Sequence, residues 1–148
     1  MTLDEDLLPP EHLLRATRRG NEYAWRLEDI PKVIEAARQA SLLNIGGQLQ
    51  FRIPEGTCEC YWVEVNAIDG IALDLPWRTR VELSAETALS QFRALPQRFD
   101  FLAEGRSSFG PHFDRLIAAG ASPTTYMCFV WSVQSQRRTA GLDRNKLT

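Results

Sequence analysis

The sequence predicts an α+β domain: a mainly antiparallel sheet with helices packed on it. Three observations lead there. Apolar residues recur at helical spacing in Ile30, Val33, Ile34, Ala37 and Ala40. After Asn44 the period drops to two, with Leu49, Phe51 and Ile53 alternating with Gln48, Gln50 and Arg52. Turn residues then punctuate short apolar runs, above all at Pro54-Glu55-Gly56-Thr57 and Asp69-Gly70.

Taken in order, residues 1–8 read as a loose acidic leader. Pro9 and Pro10 open a short helix over Glu11–Arg19, with Arg15, Arg18 and Arg19 in its last turns and Gly20 as its stop. Tyr23, Trp25 and Leu27 alternate as a short strand or extended lead-in. Asp29 is a candidate N-cap and Pro31 sits in the first turn of the helix that runs to Ala40. Gly46-Gly47 marks the passage from helix to sheet.

The predicted meander covers about 48–83. Its second strand, from Cys58 to about Ile68, is apolar on both sides, with Cys58, Cys60 and Trp62 on one and Tyr61, Val63 and Val65 on the other. That pattern suits a central strand covered on both faces. Ile71–Leu75 would return after Asp69-Gly70, and Thr79–Leu83 would add a fourth strand. Ser84 can cap a helix that Pro96 ends near Leu95. Ser107 or Ser108 can cap another, carrying Phe109, Phe113, Leu116 and Ile117 inward to Gly120. A last buried strand fits 126–133, and the basic tail 135–148 reads as flexible. The whole chain, 1–148, is predicted to be a single domain.

Composition narrows the function. With 44% hydrophobic residues the chain can build a core, and a net charge of −2 lacks the basic excess of a nucleic-acid binder. No run approaches the roughly 18 apolar residues of a membrane helix. MTLDEDLLPP has no basic region ahead of an apolar one, so no secretory signal is expected. Three cysteines, an odd number, do not make a disulfide framework. A cytoplasmic location is expected. The basic residues are almost all Arg, with Lys only at 32 and 146, a bias that fits a GC-rich bacterial genome.

Cys58 and Cys60 are the first candidates for chemistry. A structural zinc site needs four ligands, and the remaining Cys128, His12 and His112 show no paired spacing. A redox pair favours Cys-x-x-Cys at a helix N-terminus, whereas these thiols flank Glu59 in a strand. A Cys58–His112 dyad can be drawn but nothing in the spacing selects it. The simplest reading makes all three thiols small apolar core groups. There is no Gly-x-Ser-x-Gly elbow and no phosphate loop. No catalytic, cofactor-binding or metal-binding residue is therefore expected, and no cofactor.

Between Ile53 and Trp77 lie five acids, Glu55, Glu59, Glu64, Asp69 and Asp74, and no Lys or Arg. Solvated turns account for Glu55 and Asp69. Glu59 and Glu64 have opposite strand parity, so at least one should share a side with Tyr61 or Trp62. A carboxylate beside a large ring is suited to hold an Arg or Lys of another protein. The candidate partner-binding set is Glu59, Tyr61, Glu64, Asp69, Asp74 and Trp77.

The helix Asp29–Ala40 followed by LLNIGGQLQF resembles a pattern in immunity proteins of bacterial polymorphic-toxin systems, over about residues 21–65. The resemblance implies a non-catalytic cytoplasmic protein that binds and blocks one cognate antibacterial toxin, encoded by the neighbouring gene. It transfers no residue roles. Neither nucleic acid nor membrane is expected as a partner. Two other readings compete: a small-molecule-binding or regulatory module, which would need an apolar pocket with a few converging polar groups, and a Cys-dependent enzyme or zinc protein.

Overall fold

Strand β3, Leu43–Ile53, is the axis of the molecule. A computed structural model describes residues 2–137. Along one edge β3 pairs with β4, Gly56–Asn66; along the other it pairs first with β6, Ser132–Gln134, and then with β5, Met127–Val130. Beyond β5 lie β2, Glu22–Trp25, and β1, Thr17–Arg19. The six strands pair antiparallel throughout, in the order β1-β2-β5-β3-β4 with β6 beside the first part of β3. Among the described residues four α-helices complete the α+β fold: α1 Pro10–Leu13, α2 Ile30–Gln39, α3 Trp77–Arg98 and α4 Phe101–Ala118.

Two partners on one edge of β3 explain Gly46-Gly47. The pair does not mark the entry to the sheet; it sits inside β3, where the neighbour changes from β6 to β5. A methyl group at Gly47 would lie 1.5 Å from the Val130 carbonyl oxygen, and one at Gly46 2.0 Å from that of Val65. Only glycine lets three backbones converge there.

The core lies between one face of the sheet and the helices. Leu49, Phe51, Cys58, Cys60, Val63, Phe129 and Trp131 point into it, against Val33 and Ala37 of α2, Ala88 and Leu95 of α3, and Phe113 of α4. Phe51 meets Phe113 edge to face at 4.9 Å. Asn44 is buried at the seam between helix and sheet, and its polar groups are matched. Its N–H donates to Ser84 Oγ, its amide to the Ile34 carbonyl, and its side-chain oxygen accepts from Trp131 Nε1.

Several sequence expectations give way here. The meander stops after β4. Residues 67–76 form turns, and 79–83 belong to α3. The alternation of Thr79, Val81 and Leu83 is a short coincidence within a longer repeat, Val81, Ser84, Ala85, Ala88 and Leu95, whose spacing is helical. Ser84 is thus mid-helix. Pro96 sits in the last turns, where its missing N–H costs a single bond, and α3 continues to Arg98. Asp100, not Ser107 or Ser108, caps α4 by accepting from the Ala103 N–H. The expected helix start coincides instead with a kink at Phe109, two residues before Pro111. Ile117 points outward, 49% exposed.

At the N-terminus, Thr17–Arg19 is a strand, so Arg18 and Arg19 do not close a helix. Asp29 makes no capping bond, because Arg15 engages both its oxygens at 3.0 and 3.1 Å. The acidic leader is folded: Leu3, Glu5 and Leu8 are buried, and Glu5 accepts from the Val133 N–H of β6. Of the basic tail, Ser135 donates its N–H to Asp4, while 138–148 lie outside the described residues.

Candidate functional site

The second face of the sheet carries no helix-packed core. Strand alternation puts Ala24, Cys128 and Val130 there as a small apolar cluster, beside Gln48, Gln50 and Arg52 of β3 and the outward residues of β4. β4 is an edge strand, not a central one. Its apparent two-sided apolarity comes from a break in register. Gln48 pairs with Glu64, but Leu49 pairs with Cys60, so Tyr61, Trp62 and Val63 bulge out of the ladder.

That bulge is the central feature of the site. It reverses parity within β4, so Cys58 and Cys60 point inward before it, and Val63 and Val65 after it. Glu59 and Glu64, odd and even in sequence, consequently emerge on the same open face, opposite Gln50 and Gln48. Tyr61 is 66% exposed. Its ring meets that of Trp62 edge to face at 5.2 Å, and Trp62 donates its indole N–H to Glu104 of α4. The far end of the β4 edge is closed by Gln91, whose amide bonds both the N–H and the carbonyl of Asn66 as a strand would.

At the Gly46-Gly47 end, the open face deepens into a cleft of about 380 Å³. Glu22, Glu64 and Asp69 contribute carboxylates to its lining, and Gln48 and Asn66 contribute amides. Among the described residues none of Glu22, Glu59, Glu64 and Asp69 takes part in an ion pair, whereas Glu35, Glu55 and Glu82 all bind Arg. Glu59 accepts a long bond from Gln50 at 3.4 Å, and Asp69 accepts from Asn66 at 2.8 Å.

The structure therefore brings three of the six predicted residues to one face, Glu59, Glu64 and Asp69, with Tyr61 exposed on the bulge between the first two. Asp74 is exposed in the turn region beyond them and lines no part of the cleft. Trp77 is a structural joint: its indole N–H donates to the Ser41 carbonyl and Arg80 stacks over its ring. Glu22 escaped the sequence reading. Its alternation with Ala24 gives its side of β2, but only the strand order places it beside Glu64.

The thiols occupy core positions. All three cysteines are free and buried. Burial pushes Cys60 up to about 12 and Cys128 up to about 11, and raises Cys58 as well. Such groups stay protonated at neutral pH and are poor nucleophiles. Cys128 lies on the open-face side with Ala24 and Val130, apart from the other two. His112 sits against Glu55 at 3.1 Å and Arg115 at 2.9 Å, in an exposed cluster tying α4 to the β3–β4 turn. Among the described residues no group of three or more His, Cys, Asp and Glu side chains is arranged to hold a metal ion, and no helix is long and apolar enough to cross a membrane.

Comparison of the chain with protein-family models, with curated proteins and with solved structures finds no match.

Proposed function

We propose that the protein acts by covering a basic surface of another protein with its open sheet face. The partner in this reading is a cognate antibacterial toxin encoded by the neighbouring gene, as the resemblance of the helix–Gly-Gly–strand segment implies. The observation that carries the reading is the bulge at 61–63, which puts Glu59 and Glu64 on one face of β4, neither in an ion pair among the described residues, and leaves Tyr61 exposed between them. Carboxylates without an ion pair beside a ring favour an Arg- or Lys-bearing partner: the acids steer approach and the ring supplies contact area. Inhibition is stoichiometric and needs no bond to be made or broken. The protonated, buried thiols agree with this.

Co-expression tests it. The adjacent gene product alone should arrest growth, and this protein should restore it. The double charge reversal Glu59→Lys/Glu64→Lys should keep the fold and lose the protection. A harmless neighbour, or full protection by the folded double variant, would contradict the reading.

A further inference from the structure

On the hairpin side of the open face, away from the acidic cleft, lies a second cavity of about 240 Å³. Three arginines, Arg15, Arg26 and Arg52, contribute to its lining, and no Asp or Glu does. Arg15 and Arg26 each keep guanidinium N–H groups beyond those they give to Asp29 and Glu28.

Arg52 differs from the other two. It is only 6% exposed yet forms no ion pair among the described residues. Its guanidinium donates to neutral acceptors alone. Nε reaches Gln50 Oε1 at 3.1 Å, Nη1 reaches the Thr17 carbonyl and hydroxyl at 2.8 and 3.2 Å, and Nη2 reaches the Glu22 carbonyl at 3.2 Å. These four bonds leave one of its five N–H groups without an acceptor among the described residues. A buried cation that touches no carboxylate is costly, even with the charges of Glu22 and Glu59 within electrostatic reach, and proteins ordinarily place a carboxylate against it. Here the adjoining space is a cavity, and Thr17, which Arg52 holds, forms part of its wall. Trp25, Tyr126 and Met127 supply apolar surface to the same cavity.

We propose that this cavity binds a small organic oxyanion, a carboxylate or phosphate ester with a short apolar body. The anion supplies the directly contacting counter-charge that Arg52 lacks, Arg26 and Arg15 close over it, and the body lies against Trp25 and Tyr126. The direction of the Arg52 pKa agrees: desolvation lowers it more than the charges of Glu22 and Glu59 restore it, whereas the Arg15 guanidinium, bonded to Asp29, is raised. Gln50 and Glu22 link Arg52 to the acidic side, but the proposal does not rest on that side binding a protein.

The probes are benzoate, phenyl phosphate and the uncharged benzyl alcohol, titrated calorimetrically into the full chain at constant ionic strength. At least one anion should bind saturably, one per chain, and benzyl alcohol should not. Arg26→Gln, at the exposed mouth, should weaken binding about tenfold, the loss of one charge-assisted contact. Arg52→Gln should abolish it, and Arg93→Gln on α3 should leave it unchanged. Should Arg52→Gln not fold, Arg26→Gln decides alone. Absence of saturable binding by both anions, equal binding of benzyl alcohol, or full affinity in Arg26→Gln would overturn the proposal.

Discussion

The two sides of β3 bury comparable side chains by opposite means. On the helix side, Leu49, Phe51 and Ile53 disappear into an apolar core. On the open side, Gln50 and Arg52 are also buried, but through directed hydrogen bonds to the β1–β2 hairpin and to each other. The first side gives stability through area and packing. The second holds polar groups in fixed positions and leaves charges of both signs available, carboxylates toward Asn66 and guanidiniums toward Thr17. One strand thus separates what stabilises the molecule from what it can present to others.

Deleting a ring on the helix side should have the largest effect. Phe51→Ala removes the edge-to-face partner of Phe113 and is expected to cost about 3–5 kcal/mol in urea unfolding. A loss below about 1 kcal/mol would mean that the two sides do not divide as described.

On the open side, Arg52→Met keeps the length and removes the cation. It leaves the Thr17 and Glu22 carbonyls and Gln50 Oε1 without their donor, and about 1–3 kcal/mol of destabilisation is expected. A more stable Arg52→Met protein would show that the buried charge costs more than its bonds return.

A weaker effect is expected at the turn that joins the two sides. Arg115, then His112, hold the Glu55 carboxyl below its ordinary value of 4.5. A folded-state pKa lower than the unfolded one adds stability that is fully present above the unfolded value and fades as pH falls through the folded value. Denaturation midpoints followed from neutral to acidic pH should therefore fall less steeply for Glu55→Gln than for the native protein. Identical pH profiles would remove the cluster from the account.

The division was only partly legible in the sequence. The helical stripe of α2 and the alternation of β3 could be read directly, because each extends over several repeats of its own period. Thr79–Leu83 could not, because five residues fit a period of two as well as one of 3.6. The bulge was invisible for a different reason: nothing in Cys-Tyr-Trp-Val-Glu announces a change of parity, and the reading assigned Glu59 and Glu64 to opposite sides. Trp77 looked like a free anchor because its acceptor, the Ser41 carbonyl, is a backbone group 36 residues away. The arginine-lined cavity draws on β1, β2, β3, β5 and the segments between them, which only the tertiary fold brings together.

The acidic half of the open face should be nearly silent in stability. Glu59 and Glu64 are exposed, and reversing both should shift unfolding by no more than about 0.5 kcal/mol each. The direct test of the central claim is the affinity of the purified neighbouring-gene product for three proteins: native, Glu59→Lys/Glu64→Lys, and Asp74→Lys, which alters an acid outside the cleft. The account expects tight, salt-sensitive binding by the native protein and by Asp74→Lys, with a loss of at least about a hundredfold in the double variant. Equal affinity for all three, or equal losses in both variants, would contradict it.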